Sequence, residues 1–155
     1  MEKVKIPMEE LVPLLQLQME KGGSAVLPIT GTSMLPMLRN DIDSVVITPV
    51  TRPLKKGDIP LYKRENGSFV LHRIVGFRED AYLCCGDNQW LKETVKKEQV
   101  IAVVCAYFRA GTRRSLNSLS YRLYVPIWSF LRPLRRFLAD IRSFLRPLKR
   151  KITGQ

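Results

Sequence analysis

Hydrophobic positions change from helical to strand spacing within the first thirty residues. Between residues 8 and 21 they recur every three or four positions, at Leu11, Leu14, Leu15 and Met19. This spacing, followed by Gly22-Gly23, predicts a short amphipathic helix. The next apolar run, residues 25–29, predicts a strand that Pro28 weakens. Thr30-Gly31-Thr32-Ser33 follows, so a serine lies just past the first predicted strand.

Short apolar runs separated by turn residues dominate the middle of the chain. They predict strands over residues 43–48, 59–63, 68–75, 82–85 and 100–108. Asn66-Gly67 separates two of these runs and is a strong hairpin signal, which places His72 on the second arm of the hairpin. Many short strands with few helices predict a mainly β fold with an antiparallel β body.

The composition changes after Ala110. The stretch from Gly111 to Ser120 is rich in turn residues and predicts a linker to a helical tail. Within the tail, the eight residues 129–136 recur with one Arg-to-Lys change as residues 143–150. We therefore expect one domain over residues 1–110, which contains the candidate catalytic residues, followed by a linker and a helical tail over residues 111–155.

Most of the positive charge lies in this tail. The chain has 155 residues and a formal net charge of +12, and the segment from Arg109 to Gln155 has twelve Lys or Arg residues but only one acid, Asp140. A nearly neutral body with a basic appendage indicates that the tail meets an anionic partner.

The tail also has an apolar stripe at helical spacing. Its members are Ile127, Phe130, Leu131, Leu134, Phe137, Leu138, Ile141, Phe144, Leu145 and Leu148. One interpretation packs this stripe against the body or a second copy of the chain. We favour the other, a basic amphipathic helix on an anionic membrane surface, with Trp128 and the arginines at the headgroup boundary. Nucleic-acid binding is disfavoured, because the aromatic residues follow the stripe and are not interleaved for base stacking.

The lack of a recognisable targeting segment and the number of cysteines indicate the cellular compartment of the protein. The N-terminus has no run typical of a signal peptide, and no stretch of 18 uncharged apolar residues predicts a membrane span. Cys84, Cys85 and Cys105 are an odd number and lack the spacing of zinc ligands, so we expect neither a disulfide framework nor a metal or other cofactor. A cytoplasmic protein that lies peripherally on the membrane is the prediction.

The residues that could perform chemistry are Ser33 and His72. A serine hydroxyl needs a base to remove its proton as it attacks, and His72 is the only histidine in the chain. A lysine such as Lys63 could serve only if its pKa were strongly lowered by burial, whereas histidine needs no large shift. Gly31 allows close backbone approach beside the serine, and Pro36 fixes the chain after it.

Four short motifs occur in the order seen in type I signal peptidases, and together they resemble that family. They are Gly31-Thr32-Ser33-Met34-Leu35-Pro36, Gly57-Asp58-Ile59, Leu71-His72-Arg73-Ile74 and Gly86-Asp87-Asn88. The resemblance covers about residues 25–104 and implies a β-rich serine endopeptidase. The sequence is most similar to the endoplasmic-reticulum and archaeal branch of the family, in which a histidine replaces the lysine that serves as base in most bacterial members.

The resemblance also implies roles for individual residues. Ser33 matches the nucleophile and His72 the general base, and in this branch an acidic residue shortly after the Gly86-Asp87-Asn88 motif completes the site. Glu93 aligns with that position, where the family usually has Asp, and Asp87 is the competing residue for orienting His72.

The chain departs from the family pattern in several places. No N-terminal transmembrane anchor is found, Glu93 replaces an aspartate, and the basic tail matches no part of the pattern. Pro60 follows Gly57-Asp58-Ile59, so that strand is expected to lie at an edge or to have a bulge.

Two functions from different classes follow. The first is an endopeptidase that cleaves a peptide or leader segment through an acyl-enzyme formed on Ser33. The second is a catalytically silent module of the same fold that binds an extended peptide by strand addition. The self-cleaving SOS repressors share the broader fold, but no N-terminal DNA-binding helices or cleavage segment support that role. The substrate sequence and the oligomeric state do not follow from the sequence.

Overall fold

The computed structural model describes residues 7–131, 133–137 and 141, and it confirms a mainly β fold with antiparallel sheets. The α-helices are α1 (Met8–Glu20) and α2 (Leu119–Phe130), residues 133–137 are also helical, and a short 3-10 helix covers Lys97–Gln99. The strands are β1 (Ala25–Pro28), β2 (Ser44–Thr48), β3 (Pro60–Lys63), β4 (Phe69–Leu71), β5 (Arg73–Arg78), β6 (Ala81–Cys85), β7 (Glu93–Lys96), β8 (Val100–Arg109) and β9 (Thr112–Ser115).

These strands form two sheets. The larger sheet has the order β1-β2-β8-β3-β4, with β9 also paired to β8, and the smaller has the order β5-β6-β7. Pro60 is the first residue of β3, a strand paired on both sides, and the register with β8 shifts between Leu61 and Tyr62. The strand is therefore not an edge, and the expected irregularity is present beside its proline.

The chain passes from one sheet to the other at His72. Leu71 still pairs with Leu61 in the larger sheet, whereas Arg73 already pairs with Cys85 in the smaller one. The prediction of one continuous strand over residues 68–75 is therefore wrong. An apolar run shows that backbone is extended and buried, but it does not show which neighbours the two halves pair with.

The segment after Ala110 belongs to the β body rather than to a linker. Thr112–Ser115 is β9, joined to β8 by Ala110 and Gly111, which both have positive φ. The predicted boundary at residue 110 thus falls inside a hairpin turn. All four residues of β9 are exposed, so the sequence had no buried apolar position to reveal a strand.

Two hydrophobic clusters form the core. The larger one joins α1, the six-stranded sheet and the segment after β1, and it also contains Tyr121 of α2. The smaller one lies around Tyr62, Ile74, Cys84 and Val95, with contributions from both sheets. Because Tyr62 and Ile74 lie close to His72 in the fold, this second cluster excludes water from one side of the histidine.

Candidate active site

His72 is buried at the crossover between the sheets, with only 3% of its side chain exposed. Its Nδ1 atom lies 2.8 Å from Oε1 of Glu93 and 3.2 Å from the hydroxyl oxygen of Tyr62. Glu93 is the first residue of β7, whose partner strand β6 is also paired with β5. The order of the smaller sheet therefore brings the carboxylate to the end of β5 where His72 lies.

Two further side chains fix the Glu93 carboxylate. The Tyr62 hydroxyl donates to Oε1 at 2.9 Å, and the Arg64 guanidinium donates to both oxygens at 2.7 Å. Tyr62 and Arg64 are two positions apart at the end of β3, so their side chains leave the same face of the strand. A carboxylate held by a bidentate arginine and a tyrosine has little freedom to rotate away from the imidazole.

The electrostatics of this group favour a charged Glu93 and a neutral His72. Burial lowers the pKa of His72 below its ordinary value of 6.5, although the nearby Glu93 opposes this shift. Burial alone would raise the pKa of Glu93, but hydrogen bonds from Arg64 and Tyr62 outweigh it and lower the pKa. Burial and the bond to Glu93 raise the pKa of Tyr62, which therefore remains a hydroxyl donor.

The hydrogen bonds also determine the tautomer of His72. An ionised carboxylate only accepts hydrogen bonds, so Nδ1 must have the proton that His72 donates to Glu93. The other ring nitrogen, Nε2, then has a free lone pair and can accept a proton. This is the arrangement that a histidine general base requires.

Ser33 lies in the turn segment after β1 and is half-buried. Its carbonyl oxygen accepts the backbone N–H of Asn88 at 2.8 Å, so the Gly86-Asp87-Asn88 loop lies directly against the serine backbone. Gly86 is required there, because a Cβ atom at this position would lie 2.7 Å from the same carbonyl oxygen. Among the described residues, the Ser33 hydroxyl has no hydrogen-bond partner and none joins it to His72.

Asp87 does not contact His72; it forms a buried ion pair with Arg73. Its carboxylate accepts from the Arg73 guanidinium at 2.8 and 2.6 Å, and both side chains are at most 2% exposed. The Tyr124 hydroxyl donates to the same carboxylate at 3.0 Å. Of the two predicted orienting residues, the structure therefore brings Glu93 to the imidazole and brings Asp87 to Arg73.

A short series of contacts links the two predicted catalytic residues. Arg73, which follows His72, binds Asp87, and Asn88, which follows Asp87, holds the Ser33 carbonyl. Arg73 also donates to Sδ of Met37 in the segment after Ser33. The histidine crossover and the serine segment are thus attached to the same buried ion pair.

Helix α2 completes the buried surroundings of this pair. The Tyr121 hydroxyl donates to the carbonyl of Gly57 at 2.7 Å, and the Trp128 indole N–H donates to the carbonyl of Asp87 at 3.0 Å. The Arg73 guanidinium lies over the rings of Tyr121 and Tyr124. Trp128, which we expected at a lipid headgroup boundary, instead packs on the body.

Several functional neighbours were not predicted from the sequence. Tyr62 lies in β3 and Arg64 directly follows that strand, ten and eight residues before His72, and only their spacing of two residues indicated that they could act together. Tyr124 and Trp128 were assigned to a separate tail. The alternative base, Lys63, has an exposed side chain whose ammonium lies 5.4 Å from the Phe69 ring centroid.

No protein-family model matches the chain, and no curated protein is detectably similar to it. Within the described residues, no helix is long and apolar enough to cross a bilayer. Cys84, Cys85 and Cys105 form no disulfide in the structure, and burial raises the pKa of Cys84 to about 12.

Proposed function

We propose that the chain is a serine endopeptidase resembling type I signal peptidase, with Ser33 as nucleophile, His72 as general base and Glu93 as the residue that orients the imidazole. The observation that supports this most strongly is the contact between buried His72 and partly buried Glu93, in which Nδ1 donates to the carboxylate while no described residue forms a hydrogen bond with Nε2. A histidine with a purely structural role would more commonly have both ring nitrogens bonded, since a buried polar atom without a partner is costly.

In this proposal the peptide carbonyl approaches Ser33 as Nε2 of His72 removes the hydroxyl proton. The oxygen of Ser33 forms a bond to the carbonyl carbon, and the imidazolium next to Glu93 returns the proton to the leaving amine. Water then hydrolyses the acyl-enzyme with the same base. Backbone N–H groups of the turn around Ser33 are the candidate donors to the oxyanion.

A mixture of peptides of random sequence would test the proposal, because no substrate needs to be known beforehand. We expect the wild-type chain to cleave some of these peptides and Ser33→Ala to cleave none. Mass spectrometry of the products detects cleavage as new peptide N-termini. Ser120→Ala is the matched control, since Ser120 is exposed and far from Ser33 in sequence. Peptides retained without cleavage, equally by wild type and Ser33→Ala, would favour the silent binding module instead.

We also propose that the C-terminal helix holds the chain on an anionic membrane surface. The support is that α2 has two different faces. Tyr121, Tyr124 and Trp128 face the body, whereas other large apolar residues of the helix and its continuation are mostly exposed. These exposed residues are Leu119, Leu123, Ile127, Phe130, Leu134, Phe137 and Ile141, and we call them the exposed stripe.

A further inference from the structure

A groove of about 1150 Å³ lies between α2 and the turn that follows β2. One wall is formed by Val125, Pro126 and Phe130 of the helix, and the opposite wall by the turn over residues 48–58. Phe130 belongs both to this wall and to the exposed stripe, where it is 81% exposed. The groove therefore opens beside the apolar surface that we assign to the membrane.

The rim of the groove has an excess of positive charge. Lys55, Lys56 and Arg122 line it and are exposed, and none of them forms an ion pair with a described residue. The one acid in the lining, Asp58, is already neutralised by Arg52, which binds both of its oxygens at 2.7 and 3.0 Å. Three cations thus face the groove without a compensating carboxylate.

Other side chains that line the groove suit the remainder of a lipid. Thr48, Thr51 and Asn117 supply hydroxyl and amide groups, while Leu116 and Val103 add apolar surface. A ligand that fits must have an anionic head, a polar linkage and an apolar part that continues along the helix. A phospholipid with a net negative headgroup has these parts in that order.

We infer that this groove binds the headgroup of an anionic phospholipid while the exposed stripe enters the acyl region beside it. The inference rests on the proposed membrane association and adds a second contact, made by the β body. Two contacts at different places fix the orientation of the body on the bilayer.

The positive charge of the groove favours a lipid, and not a second copy of the chain, as the partner of this surface. In a two-fold dimer the same surface of each copy meets itself, so two surfaces with an excess of positive charge would be brought together. Lys55, Lys56 and Arg122 of the two copies would then repel one another, whereas an anionic bilayer neutralises them.

Flotation of the full-length protein with vesicles tests the inference. Wild type should bind vesicles of phosphatidylcholine with phosphatidylglycerol more tightly than vesicles of phosphatidylcholine alone. Each cation near an anionic surface contributes about 1 kcal/mol, or about fivefold in binding, so Lys55→Gln with Lys56→Gln should weaken binding roughly 25-fold. The matched control is Lys21→Gln with Lys96→Gln, which removes the same charge from exposed positions outside the groove.

A second measurement distinguishes specific binding in the groove from non-specific electrostatic attraction to an anionic surface. Short-chain phosphatidylglycerol, below its micelle concentration, should shift the amide resonances of the non-proline residues in 49–56 and 122–126, and inorganic phosphate should not reproduce those shifts. Equal vesicle binding by the groove variant and the control variant would overturn the headgroup site while leaving membrane association intact. Phosphate shifts equal to those of the lipid would also overturn it. No vesicle binding by any variant, together with self-association lost in Phe130→Ser, would overturn both proposals in favour of a dimer.

Discussion

Oε1 of Glu93 lies 2.8 Å from Nδ1 of His72 and is at the same time bonded to Tyr62 and Arg64. This relationship selects the tautomer with the proton on Nδ1, which leaves Nε2 as the proton acceptor. Tyr62 of β3 and Arg64, which directly follows that strand, hold the Glu93 carboxylate in place.

Replacing Glu93 by Gln should reduce turnover roughly a hundredfold or more with little change in KM. The amide can donate a hydrogen bond to Nδ1, and this favours the tautomer with the proton on Nε2, which cannot act as base. The measurement is the steady-state rate on a peptide from the cleavage screen, with Glu98→Gln as the control at an exposed position. Turnover within a factor of two of wild type would show that Glu93 does not orient the base.

The pH dependence of activity should follow the single histidine. A base must be neutral to accept a proton, and burial lowers the pKa of His72 below 6.5. Activity should therefore fall on acidification with a midpoint below pH 6.5, as His72 becomes protonated. Because the chain has one histidine, nitrogen-15 NMR of its imidazole gives the pKa and the tautomer directly. An imidazole that titrates above 6.5, or whose proton lies on Nε2, contradicts this account.

Folding stability should fall on acidification for the same reason. The folded pKa of His72 is lower than the unfolded value, so below about pH 6.5 the unfolded chain binds a proton that the folded chain does not. Glu93 has a lowered pKa as well, and its contribution is lost as pH falls below 4.5 through the folded value. Urea unfolding at several pH values measures this. In His72→Gln the decline that begins near pH 6.5 should disappear, and its persistence would assign it to other groups.

Asp87→Asn should destabilise the fold instead of acting on the imidazole. It leaves the buried Arg73 guanidinium without its counter-charge, and breaking a buried pair in this way costs about 3–5 kcal/mol. Asp80→Asn is the matched control, because Asp80 is 87% exposed and its loss of the contact with Lys97 should change the free energy of unfolding by less than about 1 kcal/mol. Equal free energies of unfolding for the two variants would contradict the structural role of Asp87.

The β body was largely predictable because its strands have buried apolar positions. The run at 45–47 and the run at 82–85 each appeared as a strand within one or two residues of its predicted ends. The exposed strand β9 and the single buried position of β7, Val95, gave no comparable pattern. Pairing partners and the change of sheet at His72 depend on contacts between distant segments, which local periodicity does not contain.

The site was predictable in its residue types but not in its supporting contacts. Serine, histidine and two carboxylates were identified from four motifs, and the structure distinguishes the carboxylates by their neighbours. Asp87 lies beside a buried arginine and Glu93 beside the histidine, a difference that needs the packing of β5, β6 and β7. Helix α2, which covers Asp87, was predicted to be part of a separate tail. The residues that pack on the body and the residues of the exposed stripe alternate along the same segment, so the sequence did not distinguish the two faces.

The central claim is that Ser33 is a nucleophile activated by His72, and covalent labelling tests it without a known substrate. The protein is treated at neutral pH with small serine-reactive electrophiles of different types (a fluorophosphonate, a β-lactone and a β-lactam), and the modified peptide is located by mass spectrometry. We predict one adduct, on Ser33, that is absent in Ser33→Ala, strongly slowed in His72→Ala and unchanged in Ser120→Ala. An adduct on another residue, labelling of Ser33 that is equally fast without His72, or no adduct with any of the three reagents on folded protein would contradict the claim.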